Sequence, residues 1–457
     1  MPIRLSRRSG MALIGVVSAS SLALSACGSS GSSSTSSGPV TITVAVTANP
    51  LMTTIEQLTP AGFEKSHPNI KVKFVTYDEN TERANVEKDV AAGGGQYDVV
   101  MIGPNDIASW AKNKWIDPLT SYANSDASYD VGDLLPAIKD ALSSNGTLYA
   151  VPFYGESSFM MYNKQMFAAA HVTMPAHPTW AQIAALAAKL NDPSAGVAGI
   201  CLRGLTGWGD NLASLDTVVN TFGGQWFDTH WNAHLTSPAF EQATNFYVNL
   251  VRDYGEVGAS SAGFSECGTA YSQGQAAMWY DATSMTGTTE DPTSSKVVGL
   301  NGYAPAPVVN TKAAGWLYTW SLAIPKTTVN KDAAWQFMSW MTDKQYMSLV
   351  GNSMGWSQVP PGSRLSTYQI PQYKAAAKAY AQPTLDAINS ATQANTMTQP
   401  VPYYGLQFVG IPEFQDLGTR VSDQISAAVA GQETVPQALQ QSQQYAQTVG
   451  DTYRSKP

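Results

Sequence analysis

LYAVPFYGESSFMMYN, residues 148–163, is the stretch on which the reading of this chain turns: an apolar run, a proline, a polar aromatic patch and a second apolar run in unbroken succession. Pro152 fixes its own φ and pushes Val151 into an extended conformation, so the segment reads as a strand or a straight crossing and not as a helix. Just beyond it, Tyr154, Glu156, Ser157 and Ser158 offer an aromatic face, a carboxylate and two hydroxyls. Those groups suit a sugar, and they equally suit a buried strand with one exposed edge. Position tips the balance, because the stretch lies about one third of the way along the chain, between two blocks that each read as an α/β unit.

The block before it begins with VTITVAV at residues 40–46, which alternates as a strand does and is followed by the turn Ala48, Asn49 and Pro50 leading into a helix from about Met52. A helix to residue 66, the strand IKVKFVTY, a helix over 81–92, a triple-glycine stop at 93–95 and the strand YDVVMIG complete a β-α-β-α-β unit. In open α/β sheets ligands bind at the carboxyl ends of the strands, which makes Asn49 a candidate contact. The same rule selects Asn105 and Asp106 in the loop GPND, although Asp106 serves equally well as a helix cap.

The block after it predicts a helix over 180–190, a strand over 197–202 and a loop from Arg203 to Asn211. Arg203 can donate to two hydroxyls at once, or form an ordinary salt bridge. Helices follow over 212–221 and 238–253. The strand in QAAMWYDATSM then ends in Trp279, Tyr280 and Asp281, an aromatic and acidic terminus like that of Tyr154 and Glu156. GYAPAP at 302–307 is a proline-broken connector suited to a return crossing. In WLYTWSLAIP, Trp316, Tyr318 and Trp320 share one strand face by period two, and core packing is an alternative for them, favoured for Tyr318. MGWSQVPPGSR, with Trp356 and Arg364, reads as a third crossing, and the remainder is mostly helical, over 372–390, 412–430 and 435–449.

The chain has 457 residues, 44% of them apolar and 13% charged, enough for two or three well-buried domains. Its first 26 residues set Arg4, Arg7 and Arg8 before an apolar segment interrupted by serines, the pattern of a signal peptide and not of a membrane span. Leu24, Ser25, Ala26 and Cys27 resemble a bacterial lipobox in which Cys27 is acylated, and GSSGSSSTSSG behind it is a flexible tether. Formal net charge is −8, and loss of the basic leader makes it more negative, which disfavours nucleic acid and anionic lipid as partners. Two cysteines remain, Cys201 and Cys267, which an oxidising compartment would bridge, two separate buried thiols being the alternative. Neither belongs to a CxxC, and the five histidines show no metal-ligand spacing.

Lipobox, tether, strand-helix alternation, a crossing at Val151 and Pro152 and the late segment AAVAGQETVPQALQQSQQ together resemble the extracellular solute-binding proteins of family 1, carbohydrate receptors of ABC importers. NKWIDPL, YAVPFYGESSFMMYNKQMF, GICLRG, NTFGGQWFD, SQGQAAMWYDAT, WSLAIP and VPYYGLQFVGIPEFQ are similar to its sorbitol/mannitol-type polyol-binding branch. GWGDN at 207–211 departs from that branch, with Asp210 replacing the acidic residue expected there, which leaves the ligand's length open. The resemblance implies an α/β, two-lobe periplasmic-binding-protein-like fold with hinge crossings. Residues 1–26 would be the signal peptide and 27–38 the lipidated tether, with 39–150 plus 305–352 in one lobe and 151–304 plus 353–457 in the other.

It further implies a monomer, lipid-anchored to the bacterial cell membrane through Cys27, that encloses a polyol or sugar and presents it to a membrane permease. Neither cofactor nor metal is expected. The candidate ligand set is Asn49, Asn105, Asp106, Tyr154, Glu156, Arg203, Trp279, Asp281, Trp316, Trp320 and Trp356. Glu156 and Asp281 would accept from hydroxyls, Arg203 and Asn49 would donate, and C–H faces would stack on Trp279 or Trp320. A glycoside hydrolase also combines two carboxylates with aromatics, but no repeated βα series of barrel type is present. A receptor for peptides, glycerophosphate or disaccharides is the other rival, and a phosphate ligand would call for more cations than the chain supplies near GPNDIAS.

Overall fold

The computed structural model describes residues 38–455; Cys27 and the signal segment lie outside them. β1 (Val40–Thr47) runs parallel to β2 (Ile70–Tyr77), Val40 facing Ile70 and Thr47 facing Tyr77, and β3 (Val99–Ile102) pairs with the other side of β1. Both connections are helical. Helix Pro50–Thr59 starts with proline at its first position and is capped by Asn49, whose side chain accepts from the Met52 N–H. Helix Glu79–Ala92 is capped by Asp78 and stopped by Gly93 at φ 67°, a left-handed conformation that glycine adopts at least cost.

The organising stretch forms β4 (Val151–Glu156) and β5 (Ser158–Asn163), with Ser157 alone between them. Farther on come β6 (Met278–Ala282), β7 (Asn301–Pro305) and β8 (Tyr318–Ala323). A five-stranded sheet has the order β2-β1-β3-β8-β4, with β8 antiparallel to both of its neighbours. A three-stranded sheet has the order β6-β5-β7, all antiparallel. Because β4 is an edge strand, Pro152 can sit in it without breaking the sheet. Between Pro152 opposite Ser321 and Tyr154 opposite Trp320 the register shifts, so Phe153 is an extra residue in a bulge.

Three expected boundaries move. Division at residue 150/151 assigned Pro152 and Glu156 to the second lobe. Instead, Tyr318 pairs with Glu156, so the first sheet extends to Glu156 and the passage falls at Ser157. Likewise, residues 361–366 were assigned to the second lobe. They pack on the first: Gly155 N–H donates to the Pro361 carbonyl (3.0 Å), and the fully buried Arg364 bonds to the Thr342 carbonyl (2.6 Å), the Tyr129 carbonyl (2.8 Å) and Asp133 (3.3 Å). The return leg stays with the second lobe beyond residue 305, since Val308 and Asn310 bond to Pro178 and Thr221.

Two expected elements are altered. Residues 197–202 make isolated bridges, Ala198 to Ala276 and Cys201 to Trp279, alongside β6 and do not form a full strand. The helix expected over 372–390 is divided into Pro371–Ala376 and Ala381–Ser390. In the second lobe, helix Asn211–Phe222 is buried almost throughout, and helices Phe414–Val429 and Val435–Arg454 pack on each other and on Pro238–Tyr254.

Candidate functional site

Between the lobes lies a cavity of about 400 Å³. The first lobe contributes the carboxyl ends of its strands, as the topology requires. β1 delivers Asn49, whose Nδ2 lies 3.5 Å from the Tyr154 hydroxyl. The bulge in β4 sets Tyr154 and Glu156 on the cavity face, and period two does the same for Tyr318 and Trp320 on β8. Asp78, the cap of the helix after β2, and Glu79, Asn80 and Arg83 from that helix's first two turns are added. From the second lobe come Arg203, Asp210, Phe264, Glu266 and Phe408.

Arg203 is held by a bidentate pair with Asp281, Nε to Oδ2 at 2.9 Å and Nη2 to Oδ1 at 2.5 Å, and its Nη1 donates to the Gly209 carbonyl at 2.7 Å. Three of the five guanidinium N–H groups are thereby committed, and Phe264 supports the plane with its ring centroid 4.9 Å from Cζ. Asp281 is fully buried and also accepts from Trp279 Nε1 (3.1 Å) and the Ala282 N–H (2.7 Å). Arg83 bonds to Glu79 at 2.8 and 3.2 Å. Both guanidiniums therefore have carboxylate partners inside the protein.

Two other carboxyls are pushed toward neutrality. Burial raises Glu156 to about 7; the charges of Asp281 and Glu79 add to this, and Arg203 and a 2.5 Å hydrogen bond from Ser284 oppose it. Asp210 rises to about 6, through burial first and then the neighbouring Glu79, while Arg203 and a 3.0 Å bond from Asn80 pull the other way.

Of the residues selected from sequence, Asn49, Tyr154, Glu156, Arg203 and Trp320 come together at this cavity. Asp281 stands behind Arg203, and Trp279 is fully buried beneath Asp281, with no face toward the cavity. Trp316 is fully buried against Tyr280. Trp356 packs on Gly351, outside the cavity. Asp106 caps helix Pro104–Asn113, accepting from the Gly103 N–H on Oδ2 at 2.9 Å and from Asn105 Nδ2 on Oδ1 at 3.0 Å, and neither Asn105 nor Asp106 lines the cavity.

The sequence reading missed Asp78, Glu79, Asn80 and Arg83, although TYDEN follows β2 just as Asn49 follows β1. Applying the strand-end rule to all three parallel strands would have found the first three. Tyr318, read as core, has its ring on the cavity wall. Cys201 and Cys267 are joined in a disulfide, which ties the segment leading to Arg203 to helix Phe264–Ser272, whose first turn also lines the cavity.

A family profile described as bacterial extracellular solute-binding protein matches residues 47–348. The mannitol-binding protein of Pseudomonas aeruginosa is 42% identical over 408 residues, which span 89% of this chain and 92% of that protein. A crystal structure of an ABC transporter solute-binding protein from Agrobacterium vitis with bound D-mannitol shares 43% identity at a TM-score of 0.88, covering 90% of this chain and 99% of that one. Another, from Agrobacterium radiobacter in complex with ribitol, is 23% identical with a TM-score of 0.79 and is alike in fold, two lobes included.

Proposed function

This chain belongs to the bacterial extracellular solute-binding proteins, and from that premise we propose that its interlobe cavity captures a linear polyol of the mannitol and sorbitol kind for delivery to the permease of an ABC importer. The observation that carries the reading is the internal pairing of the cavity's guanidiniums, Arg203 with Asp281 and Arg83 with Glu79. A charged solute would have to break those pairs or enter unpaired, and either is costly in a desolvated site. A polyol needs neither, because each hydroxyl both donates and accepts. Free N–H groups of Arg203, the amide of Asn49 and the carboxyls of Glu156 and Asp210 offer a partner to successive hydroxyls, and the ring of Trp320 offers a face to the C–H edge.

The chain is a component of solute transport that works outside the cytoplasm. No helix among the described residues is long and apolar enough to cross a membrane, and attachment through a lipid on Cys27 is part of the proposal. Cys27→Ala should move the protein from the membrane fraction into the soluble one, and retention on the membrane would refute that part. A hydrolytic reading finds no support in the acid pair, since Asp281 is buried and engaged on both oxygens by Arg203. Calorimetric titration of the mature protein with mannitol, sorbitol, xylitol, arabitol, glucose and maltose tests the main claim. Saturable binding of at least one polyol, tighter than either sugar, is expected; preference for maltose or glucose would overturn it.

A further inference from the structure

The two lobes touch directly beside the cavity. Arg83, on helix Glu79–Ala92 of the first lobe, has its Cζ 4.6 Å from the ring centroid of Trp320 in its own lobe and 4.1 Å from that of Trp208 in the other. Trp208 does not line the solute cavity. It is fixed from behind by a 2.8 Å bond from its Nε1 to Gln415 and by edge contacts with Phe408 and Phe414. Arg83 is fixed in turn by Glu79. Beside this sandwich Asn80 donates to Asp210 across the same gap at 3.0 Å. The loop that carries Trp208 can come this near because Gly207 and Gly209 have no side chains; a Cβ on Gly209 would collide with the Glu79 carboxylate, and one on Gly207 with the Asn80 amide.

We propose that the Trp320–Arg83–Trp208 sandwich is a latch that holds the lobes together independently of solute and slows solute release. Both partners are ordered by neighbours within their own lobes, so little rotamer freedom is lost when they meet. A guanidinium between two indoles, shielded from water, is at the strong end of such contacts. Trp208 acts on solute through Arg83 and the loop, which makes it a positioning residue for closure. The part of the claim that concerns solute rests on the polyol reading; the part that concerns the solute-free protein does not.

The test compares the mature protein with Trp208→Leu, Arg83→Lys and Asn80→Ala. Small-angle scattering of the solute-free proteins should show Trp208→Leu and Arg83→Lys more expanded than the parent, and Asn80→Ala expanded to a lesser extent. Saturating mannitol should return each to the parent's compactness. Stopped-flow release of mannitol should be about tenfold faster in Trp208→Leu than in the parent. Should Trp208→Leu unfold, Arg83→Lys, which keeps the charge and loses the planar stack, decides the matter by the same two measurements. Solute-free scattering identical to the parent in the folded variants overturns the latch, even where melting temperature falls, since that is the result of mere packing loss. If no polyol binds the parent, the polyol reading fails while the solute-free scattering still decides the latch.

Discussion

Asp281→Asn keeps the shape of the side chain and removes its charge. In the parent the carboxylate takes two bonds from Arg203, one from Trp279 Nε1 and one from the Ala282 N–H, with no exposure to water. An amide in its place has one acceptor oxygen, and its NH₂ must face an N–H of Arg203 or Trp279, donor against donor. The arginine is then a buried cation without its partner. Breaking a buried pair from one side costs about 3–5 kcal/mol, and the donor clash argues for the upper half, about 4 kcal/mol. At about 2–4 °C per kcal/mol for a domain of this size, the melting temperature should fall by about 8–16 °C. Arg203, no longer held, should also cease to present its free N–H groups to solute, and the loss of a charge-assisted bond of about 1.5–3 kcal/mol weakens mannitol binding by about ten- to hundredfold. Differential scanning calorimetry and calorimetric titration measure the two effects on one preparation. A variant that melts within about 2 °C of the parent would refute the claim that this pair is the support of the site.

Glu156→Gln should leave mannitol affinity within about threefold of the parent and the melting temperature little changed at pH 5, because Gln replaces a group already largely protonated there and offers a hydroxyl the same donor and acceptor. In the parent, the folded carboxyl titrates near 7 against an ordinary 4.5, so the folded state binds the extra proton and stability must fall as pH rises through that window. Glu156→Gln should remove on the order of 2–3 kcal/mol of that fall between pH 5 and 8, read from chemical denaturation at each pH. Reduction of the Cys201–Cys267 bridge, or its replacement by two alanines, frees a loop of 66 residues in sequence separation and should cost about 4 kcal/mol by loop-closure entropy. Denaturation of parent and double variant checks this, with a loss under about 1 kcal/mol counting against it.

The fold was legible because each strand at the site announces itself by alternation, and because Pro152 could be read as extended backbone. What could not be read was where one sheet ends, since VPFYGE and SFMMYN carry the same apolar signal and their partners, β8 for one and β5's neighbours β6 and β7 for the other, lie more than a hundred residues away. The lining of the candidate site was legible where residue type and strand end coincide, at Asn49, Glu156 and Arg203. Of the four indoles selected, Trp320 lines the cavity and Trp279, Trp316 and Trp356 do not. Trp279 and Trp316 look like stacking platforms in sequence, but burial is the commoner fate of an aromatic in a strand, and both are enclosed by other rings. Arg83 escaped notice for the opposite reason: an arginine in the second turn of a polar helix reads as surface, and its two indole partners come from segments more than a hundred residues downstream.

Internal pairing of the guanidiniums has a consequence for how affinity depends on pH. With Arg203 and Arg83 each answered by a carboxylate, the carboxyls lining the cavity that are raised toward neutrality are Glu156 and Asp210. When ionised they accept; when protonated they also donate. A hydroxyl rotates to meet either state, so a polyol keeps its hydrogen bond as the carboxyl changes charge. A sugar acid or an amino sugar cannot do so, because its own charge interacts with opposite sign before and after the titration. Mannitol affinity between pH 5.5 and 8 should therefore vary by no more than about threefold, less than one neutral hydrogen bond. A change of about thirtyfold or more over that range would mean that solute contact favours one protonation state strongly, and that a fixed charge, not an adaptable hydroxyl, is what Glu156 meets.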